Sequence, residues 1–316
     1  MLDSLRFVQG AVAKKDFVPA LTHFKIQGGF IRGFNGMLGL SCPIDIDLDV
    51  NPKALQFVKA IQACKDTIQL HMTPSGKLSI KSGKFKVLVD CHQDSFPEVH
   101  PEGEEVPLNG NLLDTLKTLF PFIAEDASRP WARGILFRGQ SAYATNNITL
   151  VERWLGTPFP VEINIPKTAV AELLRIGEEP TRLLMTENSA TFCFDGERWL
   201  RTQTYSTDWP DLQRILDSAS SQEPLPPGLI DAIEALSPFV DDLGRIYLSD
   251  GLVATGGHGS TEASLEVDGL HGTGCYNYQQ LLLLKGVAVT ADFTSHPKPS
   301  LFYGDKIRGA AIGIRS

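Results

Sequence analysis

The sequence lacks the hydrophobic runs that would place it in a membrane: no stretch of about eighteen apolar residues occurs in its 316 residues. It also lacks the basic start and apolar stretch of a signal peptide, because the opening MLDSLRFVQGAVAKKD scatters acid and base throughout. A cytoplasmic location is therefore expected. Cysteine is scarce and unpatterned. The five residues, Cys42, Cys64, Cys91, Cys193 and Cys275, are odd in number, far apart and mostly in apolar surroundings, so they read as reduced core thiols and not as a disulfide framework. No C-x-x-C, H-x-x-x-H or E-x-x-H spacing brings two metal ligands onto one turn or helical face. Neither a structural zinc nor any other cofactor is expected.

Catalytic motifs are missing as well. GGHGS at 256–260 is glycine-rich, but it is neither a phosphate-cradling loop nor a dinucleotide fingerprint, and it reads as a plain loop. Ser260 has no nucleophile-elbow context. None of the seven histidines, at 23, 71, 92, 100, 258, 271 and 296, sits in a spacing that suggests a base or a ligand. The acid pairs Asp241 with Asp242 and Glu104 with Glu105 fall in polar connectors and read as solvated. No catalytic residue is assigned, and the expectation is a protein that is not an enzyme. Overall positive charge is lacking too, since the net charge is -8. That alone speaks against gripping nucleic acid over the whole surface. Lys plus Arg against Asp plus Glu number 12 and 12 over 1–105, 11 and 14 over 106–222, and 6 and 11 over 223–316. Any anion-binding face must lie mainly in the first two thirds.

What the sequence does contain is repetition. Two segments rich in Pro, Gly, Ser and acid, HPEGEEVPLNG at 100–110 and DSASSQEPLPPG at 217–228, read as linkers. They divide the chain into domains 1–105, 106–222 and 223–316, each carrying the same order of signals. The first has a helical stretch through Leu5, Val8 and Val12, strands at HFKIQGGFIRGF and IDIDLDV, a helix NPKALQFVKAIQAC, then strands TIQLHMT and KLSIKSGKFKVLVD. Asn51 is expected to cap that second helix, with Pro52 at its first position. The second piece repeats this with NLLDTLKTLFPFI, RGILFRGQSAYATNNITLVERW, FPVEINI and PKTAVAELLRI, and the third with PGLIDAIEAL through PSLFYGDKIRGAAIGIR. Pro-Lys opens the equivalent helix at 52 and at 166. SFPEVH at 95–100 and DWPDLQRIL at 208–216 share an aromatic, a proline and an acid, with Trp209 following Phe96 by 113 residues. In both places the proline is expected to end strand pairing and open a connector. Each copy supplies two helices and strands for an antiparallel sheet, an α+β arrangement with helices on one face. Basic residues recur beside these helices: Lys14 and Lys15 after the first, Lys53 and Lys59 on the second, Lys117 on the third, Lys167 and Arg175 on the fourth. Helices facing one way would give a positive lining that contacts phosphates without reading bases.

Over nearly its full length the chain resembles the bacterial and bacteriophage DNA sliding clamps, the DNA polymerase III beta subunit family. The resemblance is carried by AVAKKDFVPAL (11–21), GKLSIKSGKFKVLVDCHQDSFPEV (76–99), RGILFRGQSAYATNNITLVE (133–152), INIPKTAVAELLRI (163–176), DWPDLQRIL (208–216) and CYNYQQLLLLK (275–285). It implies three tandem clamp-type domains, helices inside and antiparallel sheets outside, in a head-to-tail homodimer ring around duplex DNA. The implied partners are duplex DNA, a replicative polymerase and a clamp loader. Lys15 falls where the family carries a DNA-contacting arginine. The family's partner-peptide pocket maps onto Thr145 and Leu150, onto Pro210, Arg214 and Ile215, and onto the tail residues Ile312 and Ile314. Most of the 145–150 turn departs from the family pattern, and the tail loses its proline. Val106, Leu108 and Leu236 are expected at the ring-closing contact. Two alternatives stay open: a clamp-derived scaffold that no longer encircles DNA, and an enzyme with a site at a domain junction.

Overall fold

The structure is a computed structural model and describes all residues except 94, 109–110, 127, 257–261 and 315–316. His258, Ser260 and the reading of the GGHGS loop thus lie outside the described residues. Along the chain the elements come in three runs of one order. The first has α1 (Leu2–Val8), β1 (Lys25–Gln27), β2 (Phe30–Phe34), β3 (Leu38–Pro43), α2 (Ala54–Ala63), β4 (Ile68–Met72), β5 (Lys77–Ser82) and β6 (Phe85–Asp90). After β7 (Glu104–Val106), the second has α3 (Leu112–Leu119), β8 (Gly134–Arg138), β9 (Ser141–Thr145), β10 (Thr149–Trp154), β11 (Ile163–Pro166), α4 (Lys167–Ile176), β12 (Arg182–Met185), β13 (Ser189–Phe194) and β14 (Arg198–Gln203). After α5 (Gln213–Leu216) and β15 (Glu223–Pro224), the third has α6 (Leu229–Leu236), β16 (Arg245–Ser249), β17 (Leu252–Ala254), β18 (Ser264–Glu266), β19 (Gly274–Asn277), α7 (Tyr278–Leu282), β20 (Thr290–Ala291), β21 (Ser300–Gly304) and β22 (Ile307–Ala311).

By internal contacts the described chain forms two compact units, 1–113 with 171–204 and 114–170 with 205–316. The first unit holds a seven-stranded antiparallel sheet, β1-β2-β3-β14-β13-β12-β7, and a three-stranded one, β4-β5-β6. The central strands of the large sheet are buried on both faces, β13 along its whole length. Leu40, Leu200, Phe192 and Leu183 stand opposite one another across four strands, all at 0% exposure. Burying each such side chain contributes roughly 1.5–3 kcal/mol. Helix α1 packs on β3, and Phe7 meets Phe194 edge-on with centroids 5.7 Å apart. Gly103 lets β7 join the edge: its φ is 108°, and a Cβ there would lie 2.1 Å from the Met185 carbonyl oxygen.

The second unit holds an eight-stranded antiparallel sheet, β11-β8-β9-β10-β22-β21-β20-β15, and a four-stranded one, β18-β17-β16-β19. Helices α6 and α7 pack together in this unit. Among the described residues no helix is long and apolar enough to cross a membrane, and no cluster of three metal-ligating side chains occurs.

Several local expectations change. IDIDLDV does alternate in burial, with Ile44, Ile46 and Val50 buried between exposed aspartates, yet only Val50 forms a bridge, to Ile26. Its periodicity comes from lying extended against a core, not from a ladder. Helix α2 begins at Ala54 with Lys53 as N-cap, because Pro52 bridges to Cys91 and the Asn51 carbonyl accepts the His92 N-H. The stretch 133–154, read as a strand, is a three-strand meander with turns at Gly139 and Asn147, both at positive φ.

Candidate functional site

The second unit contains an apolar groove at the place where DWPDLQRIL crosses the meander. Trp209 is 8% exposed and packs against Trp131, with centroids 4.9 Å apart and the rings inclined at 57°, which anchors the segment. Pro210 comes next, and α5 then lays Leu212, Ile215 and Leu216 against Leu150, Leu301 and Ala310. A cavity of about 80 Å³ remains, walled by Tyr143, Leu150, Trp209, Pro210, Leu212 and Leu216. That is well below the several hundred Å³ of a small-molecule site and suits one or two apolar side chains. Gly309 permits the close approach of β22 to β10 here, since a Cβ would meet the Phe302 ring at 2.2 Å and the Leu150 carbonyl oxygen at 2.7 Å.

The groove stands on a polar base. Glu152 is 8% exposed and accepts a hydrogen bond from the Tyr143 hydroxyl at 2.9 Å and one from the Arg308 guanidinium. Arg308 also reaches Asp217 at 2.8 Å. Burial, reinforced by the Glu152 charge, pushes the Tyr143 hydroxyl up to about 12, so it stays a neutral donor. Arg138 donates to Glu162 at 2.8 Å and to the Thr207 carbonyl at 2.6 Å, fixing the approach of 207–209 to β8.

The expected pocket residues fall in three places. Leu150 and Pro210 line the cavity, and Ile215 belongs to the cluster beside it. Arg214 projects outward, its side chain 89% exposed and 3.2 Å from the Asp211 carboxylate. Thr145 is buried, and its hydroxyl donates to the Thr149 carbonyl at 2.9 Å, so it shapes the β9–β10 turn. Ile312 is 46% exposed and its N-H donates to the Ile148 carbonyl; the Ile314 N-H donates to the Cys275 carbonyl. Sequence reading missed Gln280 on α7, whose side-chain oxygen accepts from Asn146 at 2.7 Å and from the Thr149 hydroxyl at 2.9 Å. No local pattern signals a contact 131 residues away.

The basic candidates also differ from one another. Lys14, Lys15, Lys53, Lys59 and Lys117 are exposed. Lys167 is ion-paired with Glu125 and lies over the Phe120 ring, 5.3 Å from its centroid. Arg175 is committed to the protein, donating to Glu172 at 2.6 Å and to the Arg6 and Phe7 carbonyls at 2.8 Å, so it straps α4 to the end of α1. Of the ring-closing candidates, Val106 and Leu108 are half-buried, and Val106 sits on β7 paired opposite Leu183. Leu236 is 3% exposed, inside the core of its own unit, and has little surface to offer a partner.

The fold so described is an antiparallel α+β clamp fold. Among solved structures it matches the C. crescentus beta sliding clamp with a TM-score of 0.85 at 16% identity, over 100% of this chain and 97% of that one. The beta subunit of Streptococcus pyogenes DNA polymerase matches with a TM-score of 0.82 at 17% identity, with the same coverage. So does the sliding clamp of Bartonella birtlesii, solved with griselimycin, with a TM-score of 0.83 at 18% identity. No protein-family model and no curated protein sequence matches the chain. The chain therefore has the fold of the DNA polymerase III beta subunits, the bacterial sliding clamps.

Proposed function

We propose that the chain is a sliding clamp: three domains, 1–105, 106–222 and 223–316, closed by a second copy into a ring that encircles duplex DNA and tethers a replicative polymerase. It performs no chemistry of its own. The observation that carries this reading is how the repeats share sheets. β3 pairs with β14, and β10 pairs with β22; each time the third strand of one repeat joins the last strand of the next. Continuing the rule, β18 of the third repeat seeks the last strand of a first repeat, which is β6 of another copy. Both strands have only one partner among the described residues. Joining them would make a sheet of four plus three strands, close in size to the seven- and eight-stranded sheets within the chain.

The two edges are also complementary. Beside β6 stand exposed Lys84 and Lys86, and Leu88 is 48% exposed. Beside β18 stand exposed Glu262 and Glu266, and Leu265 is 40% exposed. Opposite charge fixes register, and apolar contact supplies the attraction. This moves the proposed ring contact from Val106, Leu108 and Leu236 to β6 and β18. The exposed lysines at 14, 15, 53, 59 and 117 would touch phosphates uniformly along the duplex, which permits sliding, while the net acid charge discourages binding from outside. The groove walled by Leu150, Trp209 and Leu212 would take an apolar segment of the polymerase or of the clamp loader. Griselimycin, to which the B. birtlesii sliding clamp is bound in its structure, is the probe we propose for that groove.

Solution mass tests the ring. Two chains of 34.6 kDa give about 69 kDa, twice 34.6. Glu266→Lys is expected to shift the protein to monomer, and Lys86→Glu added to it is expected to restore the dimer. A parent protein that is monomeric at micromolar concentration would count against the closure. A clamp-derived scaffold that no longer encircles DNA is the second reading, favoured by one feature: beside α6 and α7 the cation Lys285 is paired with Glu234 at 2.6 Å.

A further inference from the structure

One face of the seven-stranded sheet holds a second, unrelated groove. Directly opposed residues in neighbouring strands point to the same face. Arg32 opposes Ser41, Ser41 opposes Trp199, Trp199 opposes Cys193, and Cys193 opposes Arg182, so one row crosses five strands. This row floors an open cavity of about 490 Å³, inside the size range of small-molecule sites. Phe30 and Pro101 stand at its sides, and the exposed turn residues Asp195 and Glu197 at its rim.

The charges in this groove do not balance. Arg182 is paired with Glu105 at 3.2 Å and Arg198 with Glu178 at 2.6 Å. Arg32 is different. Its Nε is sealed from solvent without a hydrogen-bond partner, and its guanidinium lies 5.7 Å from the Phe30 ring centroid. Beside it the Ser41 hydroxyl, in a residue with 0% exposure, also lacks a partner. A sealed donor without an acceptor keeps the full cost of its lost hydration, and such a cost in a folded protein calls for an explanation. Two unsatisfied donors side by side, under aromatic walls, await an acceptor that has an apolar body.

We propose that this groove binds a small monoanion, a carboxylate carried on an aromatic ring, with its oxygens on Arg32 and Ser41 and its ring against Phe30 and Trp199. A guanidinium presents a planar fork that matches a carboxylate in two parallel hydrogen bonds. One unpaired cation matches one negative charge. A phosphate dianion would bring a second charge toward Asp195 and Glu197 with no further unpaired arginine to meet it.

The test is calorimetric titration of the full-length protein with benzoate, benzamide and inorganic phosphate. Saturable benzoate binding is expected, with benzamide and phosphate at least tenfold weaker. Arg32→Gln is expected to weaken benzoate at least tenfold with an unchanged thermal melt, and Ser41→Ala to weaken it several-fold. Should Arg32→Gln fail to fold, the Ser41→Ala titration decides. Absence of saturable benzoate binding, equal binding of benzamide or phosphate, or full affinity in the folded variants would overturn the proposal.

Discussion

The aromatic-proline-acid signature occurs twice, and the two copies part company just after the proline. In the first, Phe96 is 7% exposed, and Val99 packs where a Cβ on Gly39 would come within 2.8 Å of it. The chain then runs on to β7 with no helix between. In the second, Trp209 is 8% exposed, and the chain turns at once into α5, whose Leu212, Ile215 and Leu216 build an apolar wall. The anchors are equivalent. A single short turn of helix converts an architectural exit into a groove.

Breaking the anchors should have the largest effect and should be alike in both copies. Phe96→Ala and Trp209→Ala are each expected to cost about 3–5 kcal/mol of stability, because each removes a large buried ring and leaves a cavity. Denaturant unfolding measures this, and a gap of several kcal/mol between them would break the equivalence. Next in size, if the groove takes an apolar partner segment as proposed, with griselimycin as its probe, Ile215→Asp should abolish griselimycin binding in a titration while Val99→Asp leaves it unchanged. Equal loss from both would mean that the groove does not lie along α5.

The connectors sharpen the contrast. After the first copy, Glu102 is ion-paired with Arg201 at a half-exposed position. After the second, the Ser221 N-H donates at 3.0 Å to Asp292, which is 2% exposed. Burial alone would raise the Asp292 carboxyl, but the Thr294 and Ser295 hydroxyls and the Ser221 and Thr294 N-H groups hold it at about 2, below its ordinary 3.8. A carboxyl with a depressed folded pKa stabilises fully above its unfolded value. That contribution, about 2 kcal/mol, is lost as pH falls from about 4 to about 2. Asp292→Asn should flatten this part of the stability profile, measured by thermal unfolding across that range. The smallest effect is expected at Arg214: its side chain is 89% exposed, so Arg214→Ala should change stability by under about 0.5 kcal/mol.

Much of this was legible in the sequence because it is periodic. The triple order of elements and α4 from PKTAVAELLRI both arise from spacing and apolar pattern. Leu150 and Pro210 were legible as groove residues from a resemblance in short motifs. What escaped is long-range. Arg175 looks like any basic residue on a helix until its carbonyl partners at Arg6 and Phe7 are seen. Gln280 acts on a turn 131 residues earlier. The strand edges β6 and β18 stand out only once the sharing of sheets between repeats is known.

The central claim is topological, and retention on DNA tests it most directly. The protein, loaded by a clamp loader onto closed circular DNA and onto the same DNA cut once, is passed through a sizing column in moderate salt. A sliding ring is expected to stay with the circle and to be lost from the linear form through its ends. Equal retention on both, or none on either after loading, would contradict the account.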